Sequence, residues 1–181
     1  MNTLTNNRLS LYAFTLLVAM SSSFTSAQAT DNNLHFSGAL VSEPCNLDPQ
    51  NSDIVVDFGS IVEKYLYQNT RTKSEPFVVK LTDCDTNIGS KVTLTFKGTE
   101  STALPGLLAV TGAATGIAIG MESSEGSALP FNQPTPEYIL SKGTNNFILG
   151  VYVQGEPSAI SQQTIISGDF TATATFELAY P

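Results

Sequence analysis

The sequence predicts an all-β sandwich, on three observations. Short segments of alternating apolar and polar residues follow one another along the chain. Clusters of Gly, Pro, Asn and Ser separate them, notably at 83–90, 123–127 and 132–136. Only residues 61–69 could form a helical turn or two, and no amphipathic helix intervenes.

The strands can be justified in order. Residues 34–40 put Leu34, Phe36 and Leu40 on one face. Residues 53–58 form a second apolar segment that ends at Gly59. In 77–82 the side chains of Phe77, Val79 and Leu81 face one way, and in 91–97 those of Val92, Leu94 and Phe96 do. Residues 117–121 are short and flanked by glycine. Residues 147–153 are apolar on both faces, the pattern of a strand in the middle of a sandwich. The chain closes on a strand with strict two-residue alternation: Gly168, Phe170, Ala172, Ala174, Phe176, Leu178 and Tyr180 on one face, mostly polar residues on the other. No strand follows it. The interior supplies about six strands where an immunoglobulin-like sandwich has seven, so a gap is expected beside the last strand, with apolar core and backbone groups left uncovered.

Residues 1–29 are expected to be a secretory signal peptide and no part of the fold. Arg8 is their only charge; the apolar run 9–20 is broken only by Ser10 and Thr15, and Ala27-Gln28-Ala29 gives an A-x-A cleavage signature. The run is too short to span a bilayer, and no second long apolar segment appears, so membrane insertion is not expected. The remaining residues 30–181 suffice for one domain with its own core. The net charge is −8, one unit more negative once Arg8 leaves with the signal. That balance argues against nucleic acid or an anionic membrane surface as a partner and suits a soluble exported protein. The two cysteines, Cys45 and Cys84, both follow the signal, and an even count in an exported chain reads as one disulfide.

Several stretches together resemble the pilin subunits of chaperone–usher fimbriae of the type 1 and P-pilus kind. They are Leu34-His35-Phe36-Ser37-Gly38-Ala39-Leu40-Val41-Ser42-Glu43-Pro44-Cys45, the segment Val56-Asp57-Phe58-Gly59-Ser60-Ile61, and Phe77-Val78-Val79-Lys80-Leu81-Thr82-Asp83-Cys84. A glycine at 168 and a penultimate Tyr180 complete the pattern, which covers nearly all of residues 30–181. The resemblance implies an incomplete immunoglobulin-like sandwich of six strands plus an N-terminal donor strand, its seventh strand being supplied in trans. It divides the chain into a signal peptide (1–29), a donor extension (30–41) and a pilin domain (42–181). It also implies three kinds of partner: a periplasmic pilus chaperone, an outer-membrane usher, and neighbouring pilin subunits in a hetero- or homopolymer. The resemblance further implies a route through the periplasm to a fimbria on the cell surface, where the polymer would contribute to adhesion.

Carried onto this chain, the resemblance makes Leu34, Phe36 and Leu40 the donor knobs, with Gly38 where no side chain is tolerated. Read from the residues alone, Gly38 fits a bulge in an ordinary strand equally well. The acceptor groove and chaperone contact would be lined by Gly168, Phe170, Ala172, Ala174, Phe176, Leu178 and Tyr180, the carboxylate of Pro181 being held by basic residues of the chaperone. Tyr180 can also be read as a core aromatic. Burying three large apolar donor side chains is worth roughly 1.5–3 kcal/mol each, and each strand hydrogen bond adds about 1 kcal/mol net. The brief polar start before Leu34 is similar to the short extensions of minor tip-fibre subunits, which leans the reading from rod towards tip or adaptor.

No catalytic constellation, cofactor or metal site is expected. His35 is the only histidine and lies on the polar face of the donor segment, where no rigid triad can hold it. With both cysteines in a disulfide, zinc would have one nitrogen ligand and no thiolate. Asp83 and Asp85 flank Cys84 without EF-hand spacing and read as solvated turn carboxylates, and the glycines of 112–120 follow no phosphate-loop pattern. Two other classes compete with a structural subunit: a tip adhesin that binds host carbohydrate, and a self-contained secreted β-sandwich, either enzyme or binding protein. The adhesin needs an added lectin domain for which residues 30–181 leave little room.

Overall fold

Alternation in the sequence becomes two facing antiparallel sheets in the computed structural model, which describes residues 42–181. The larger sheet has the order β1 (Asn46–Leu47), β2 (Glu75–Cys84), β8 (Gly143–Gly155), β6 (Ile117–Ser123) and β4 (Leu108–Ala109). The smaller one sets β3 (Lys91–Lys97) between β10 (Thr175–Ala179) and β7 (Tyr138–Ile139). A two-stranded ribbon pairs β5 (Thr111–Gly112) with β9 (Phe170–Thr171).

The core is the set of residues that the two sheets turn towards each other. Val79 and Leu81 of β2, Val92 and Leu94 of β3, and Leu149 and Val153 of β8 are the largest side chains shut off from solvent. Phe77 and Phe96 meet edge to face across the sandwich, with ring centroids 6.2 Å apart. The strand expected at 147–153 is the middle of β8, which pairs with β2 on one side and β6 on the other. Its second apolar face is explained by what covers it. Tyr152 lies opposite Gly120, where a Cβ would come within 2.2 Å of the ring. Arg71 stacks over that ring at 4.2 Å and pairs with Glu122 at 2.7 Å. Ser74 also donates to Glu122. Ser74, and with it Arg71, holds the Glu122 carboxyl below the usual carboxylate range against the opposing effect of burial.

The expected helical turn is α1 (Glu63–Asn69), which buries Leu66 and ends at Thr70 in a positive-φ conformation. A second short helix, α2 (Pro157–Gln162), was not expected from the sequence. Pro157 reads as a breaker, yet a proline is well placed in the first turn of a helix, whose N–H groups have no intrahelical partner. Six residues are also too few to show a 3.6-residue period.

Two expected strands differ from what forms. Residues 53–58 are extended, with Ile54, Val56 and Phe58 half-buried and alternating with exposed neighbours, but they join no ladder among the described residues. The terminal strand is broken into β9 and β10, which pair with different sheets. The cause lies at the end of β3. The side chain of Asn132 takes both backbone groups of Gly98, accepting from its N–H at 3.1 Å and donating to its carbonyl at 2.9 Å. That contact lies on the β7 edge; on the edge towards β10 the next residue in phase, Thr99, gives its carbonyl to the Ala109 N–H of β4 at 2.7 Å, and the ladder of β3 with β10 ends at Lys97↔Thr175.

Candidate functional site

A pair of apolar segments resting on one core, with no ladder joining them, is the feature from which a site can be built. One is the extended segment 53–58, which presents Ile54, Val56 and Phe58 to the core. The other is the terminal segment, which presents Phe170, Ala172, Phe176, Leu178 and Tyr180. All eight side chains are only half-buried, whereas Val79, Leu94 and Phe96 beneath them are buried. The segments come together at one end, where the rings of Phe58 and Phe170 lie 6.1 Å apart. Further along, Phe96 sits between Phe77 and Phe176, its ring 5.9 Å from the latter. β10 is laddered to β3 from Thr175↔Lys97 to Ala179↔Thr93 and has no partner on its other side among the described residues.

The sequence-predicted residues fall as follows. Phe176, Leu178 and Tyr180 share the inward face of the last segment with Phe170 and Ala172, while Gly168, Ala174 and Pro181 are exposed. Gly168 packs closely, since a Cβ there would lie 2.7 Å from that of Ala113. The Tyr180 hydroxyl is buried with no hydrogen-bond partner among the described residues, and burial, then the nearby Glu43, pushes its pKa up. On the solvent side Lys97 and Glu177 pair at 2.7 Å across β3 and β10. The signal segment and the donor residues Leu34, Phe36, Gly38 and Leu40, with His35, lie outside the described residues. Ile54, Val56 and Phe58 belong to the site but were not assigned to it from the sequence; their alternation, the same as that of the terminal strand, was the available signal.

Cys45 and Cys84 are bonded, each 3% exposed, tying the residue before β1 to the last residue of β2. Beside the bond, the N–H of Asp85 donates to the carbonyl of Pro44 at 2.8 Å. Lys80 anchors the same edge by pairing with Asp48 at 2.7 Å, and with the Gln50 N–H it keeps the Asp48 carboxyl below its usual range. Among the described residues no group of three or more His, Cys, Asp or Glu is arranged to hold a metal ion. No helix among the described residues is long and apolar enough to cross a membrane. What the arrangement can do is take up a strand. It offers half-buried apolar side chains at two-residue spacing beside a backbone edge, the chemistry of β-strand addition.

Comparison with known proteins agrees with that geometry. A family model described as "Fimbrial protein" matches residues 34–181. The chain is 32% identical to the Fimbria A protein of Serratia marcescens, over 94% of this chain and 96% of that protein. It is 36% identical to the fimbrial adapter PapK of Escherichia coli, over 84% and 90% of the two chains. In fold it is similar to the P pilus rod subunit PapA, with a TM-score of 0.68 at 22% identity, over 77% of this chain and all of that one. The chain belongs to the fimbrial protein family, the pilin subunits of chaperone–usher fimbriae.

Proposed function

We propose that this chain is a structural subunit of a bacterial surface fimbria that both receives and gives a β-strand. The observation that carries the reading is the pair of half-buried apolar segments, 53–58 and 170–180, which share a core but no ladder among the described residues. A strand entering between them would bury its alternate side chains over Leu94 and Phe96 and hydrogen-bond to the edge of β10 that has no partner among the described residues. A periplasmic chaperone would supply that strand first. At the outer-membrane usher it would be replaced by residues 30–41 of the next subunit, with Leu34, Phe36 and Leu40 as knobs. The family match begins at Leu34, which supports assigning a role to this segment. The product is a surface polymer that contributes to adhesion, with no turnover chemistry.

Gly38→Leu tests the register. A leucine side chain has no room where the donor backbone must lie close to the groove floor, so the variant should still bind the chaperone through its own groove but fail to extend a polymer. Co-purification with the chaperone and polymer length measure the two steps separately. Normal polymerisation of Gly38→Leu subunits would show that Gly38 does not occupy the tight position.

A further inference from the structure

The two poles of the sandwich carry exposed apolar side chains that the groove does not use. β2 runs ten residues, about 33 Å, from one pole to the other. At its starting pole lie α1 and the segment before β9, held together by the Ser167 hydroxyl on Glu63 at 2.7 Å and the Ile165 N–H on the Tyr67 hydroxyl at 3.1 Å. There Val62 is 66% and Ile166 58% exposed. At the opposite pole lie the Cys45–Cys84 bond, the 83–90 turn and Tyr180, and there Ile88 is 52% exposed.

Chain length connects these poles between subunits. Every ladder among the described residues is antiparallel. A donor strand running antiparallel to β10 would end, at Leu40, beside Phe170 and the α1 pole of the acceptor. Only residues 41–43 separate Leu40 from Pro44, which is fixed to the 83–90 turn of its own domain. Four steps of extended chain span at most about 14 Å. The donor's turn is therefore brought onto the acceptor's α1 pole.

We infer that the exposed pole formed by Val62 and Ile166 is a docking surface for the Ile88 turn of the next pilin subunit, a second and end-to-end contact besides the inserted strand. The inference rests on the strand-donation reading above. It gives the polymer a defined angle at each joint, because two separate contacts fix the relative orientation of neighbours where a strand alone would leave a swivel.

The test uses the mature chain carrying Ile88→Cys together with Ile166→Cys, both exposed positions, assembled at high concentration and mildly oxidised. A parallel chain carries Ile88→Cys with Ile148→Cys, the latter on the outer face of β8 and 54% exposed. A covalent ladder for the first pair and only unlinked chains for the second is the expected result. Addition of a peptide of residues 30–44 should abolish assembly and ladder together. Chains that assemble in a peptide-sensitive way but link no better through 88 and 166 than through 88 and 148 would overturn the docking surface and leave strand donation standing. Chains that stay monomeric and ignore the peptide would overturn both.

Discussion

Replacing Cys45 and Cys84 together by serine is expected to lower the stability of the domain by about 4 kcal/mol, the loop-closure value for a cross-link of this span. The bond closes a loop between residues 39 positions apart. For a domain of this size that corresponds to a fall in melting temperature of roughly 10–15 °C. The effect should be large because little else holds this edge. β1 has only two residues in its ladder, and the chain beyond it, 53–58, has no ladder among the described residues. Losing the bond therefore loosens one rim of the proposed acceptor site as well as the unfolded-state constraint. Urea titration of both forms reads the first effect, and binding of a donor peptide the second. A loss below about 1 kcal/mol would mean that the Asp48–Lys80 pair and side-chain packing hold this edge without the bond, since exposed pairs are worth about that much at most.

Phe96→Ala should have the next largest effect, about 3–5 kcal/mol, the range for truncating a buried aromatic. Phe96 is 6% exposed and touches both Phe77 of the opposite sheet and Phe176 of the terminal strand. Its removal takes away shared core and site floor at once. The variant should therefore be less stable in urea and also bind a donor peptide more weakly. Ile148→Ala, on the outer face of β8 and half exposed, should stay within about 0.5 kcal/mol of the parent and bind the peptide unchanged. Equal effects from the two substitutions would place the strand-binding surface on the wrong sheet.

Much of this architecture could be read from residue patterns because it follows from burial of alternate side chains. β3 forms over 91–97 as the alternation of Val92, Leu94 and Phe96 predicts, and the two-faced apolarity of 147–153 marks the middle of the large sheet. Cys45 and Cys84 could be paired because nothing else in the chain competes for them. Pairing between strands was less legible, since alternation reports which face is buried and is silent about hydrogen bonds. Residues 53–58 show the limit: they alternate like a strand and lie against the core like one, yet enter no ladder among the described residues. The break between β9 and β10 goes with Thr99, just past β3, giving its carbonyl to Ala109 of β4, a contact no local pattern records. For the same reason Ile54, Val56 and Phe58 were not joined to Phe176 and Leu178 in one site until the fold brought them onto a common core.

The most direct measurement is the thermal melting of residues 42–181, refolded with the disulfide intact, with and without a synthetic peptide of residues 30–44. A ligand that binds only the folded state raises its stability in proportion to the logarithm of its excess over Kd. An open acceptor site predicts a low melting temperature that rises by tens of degrees as one peptide binds per domain. A domain that is already stable, and whose melting the peptide leaves unchanged, would contradict it and mean that the sandwich closes on itself.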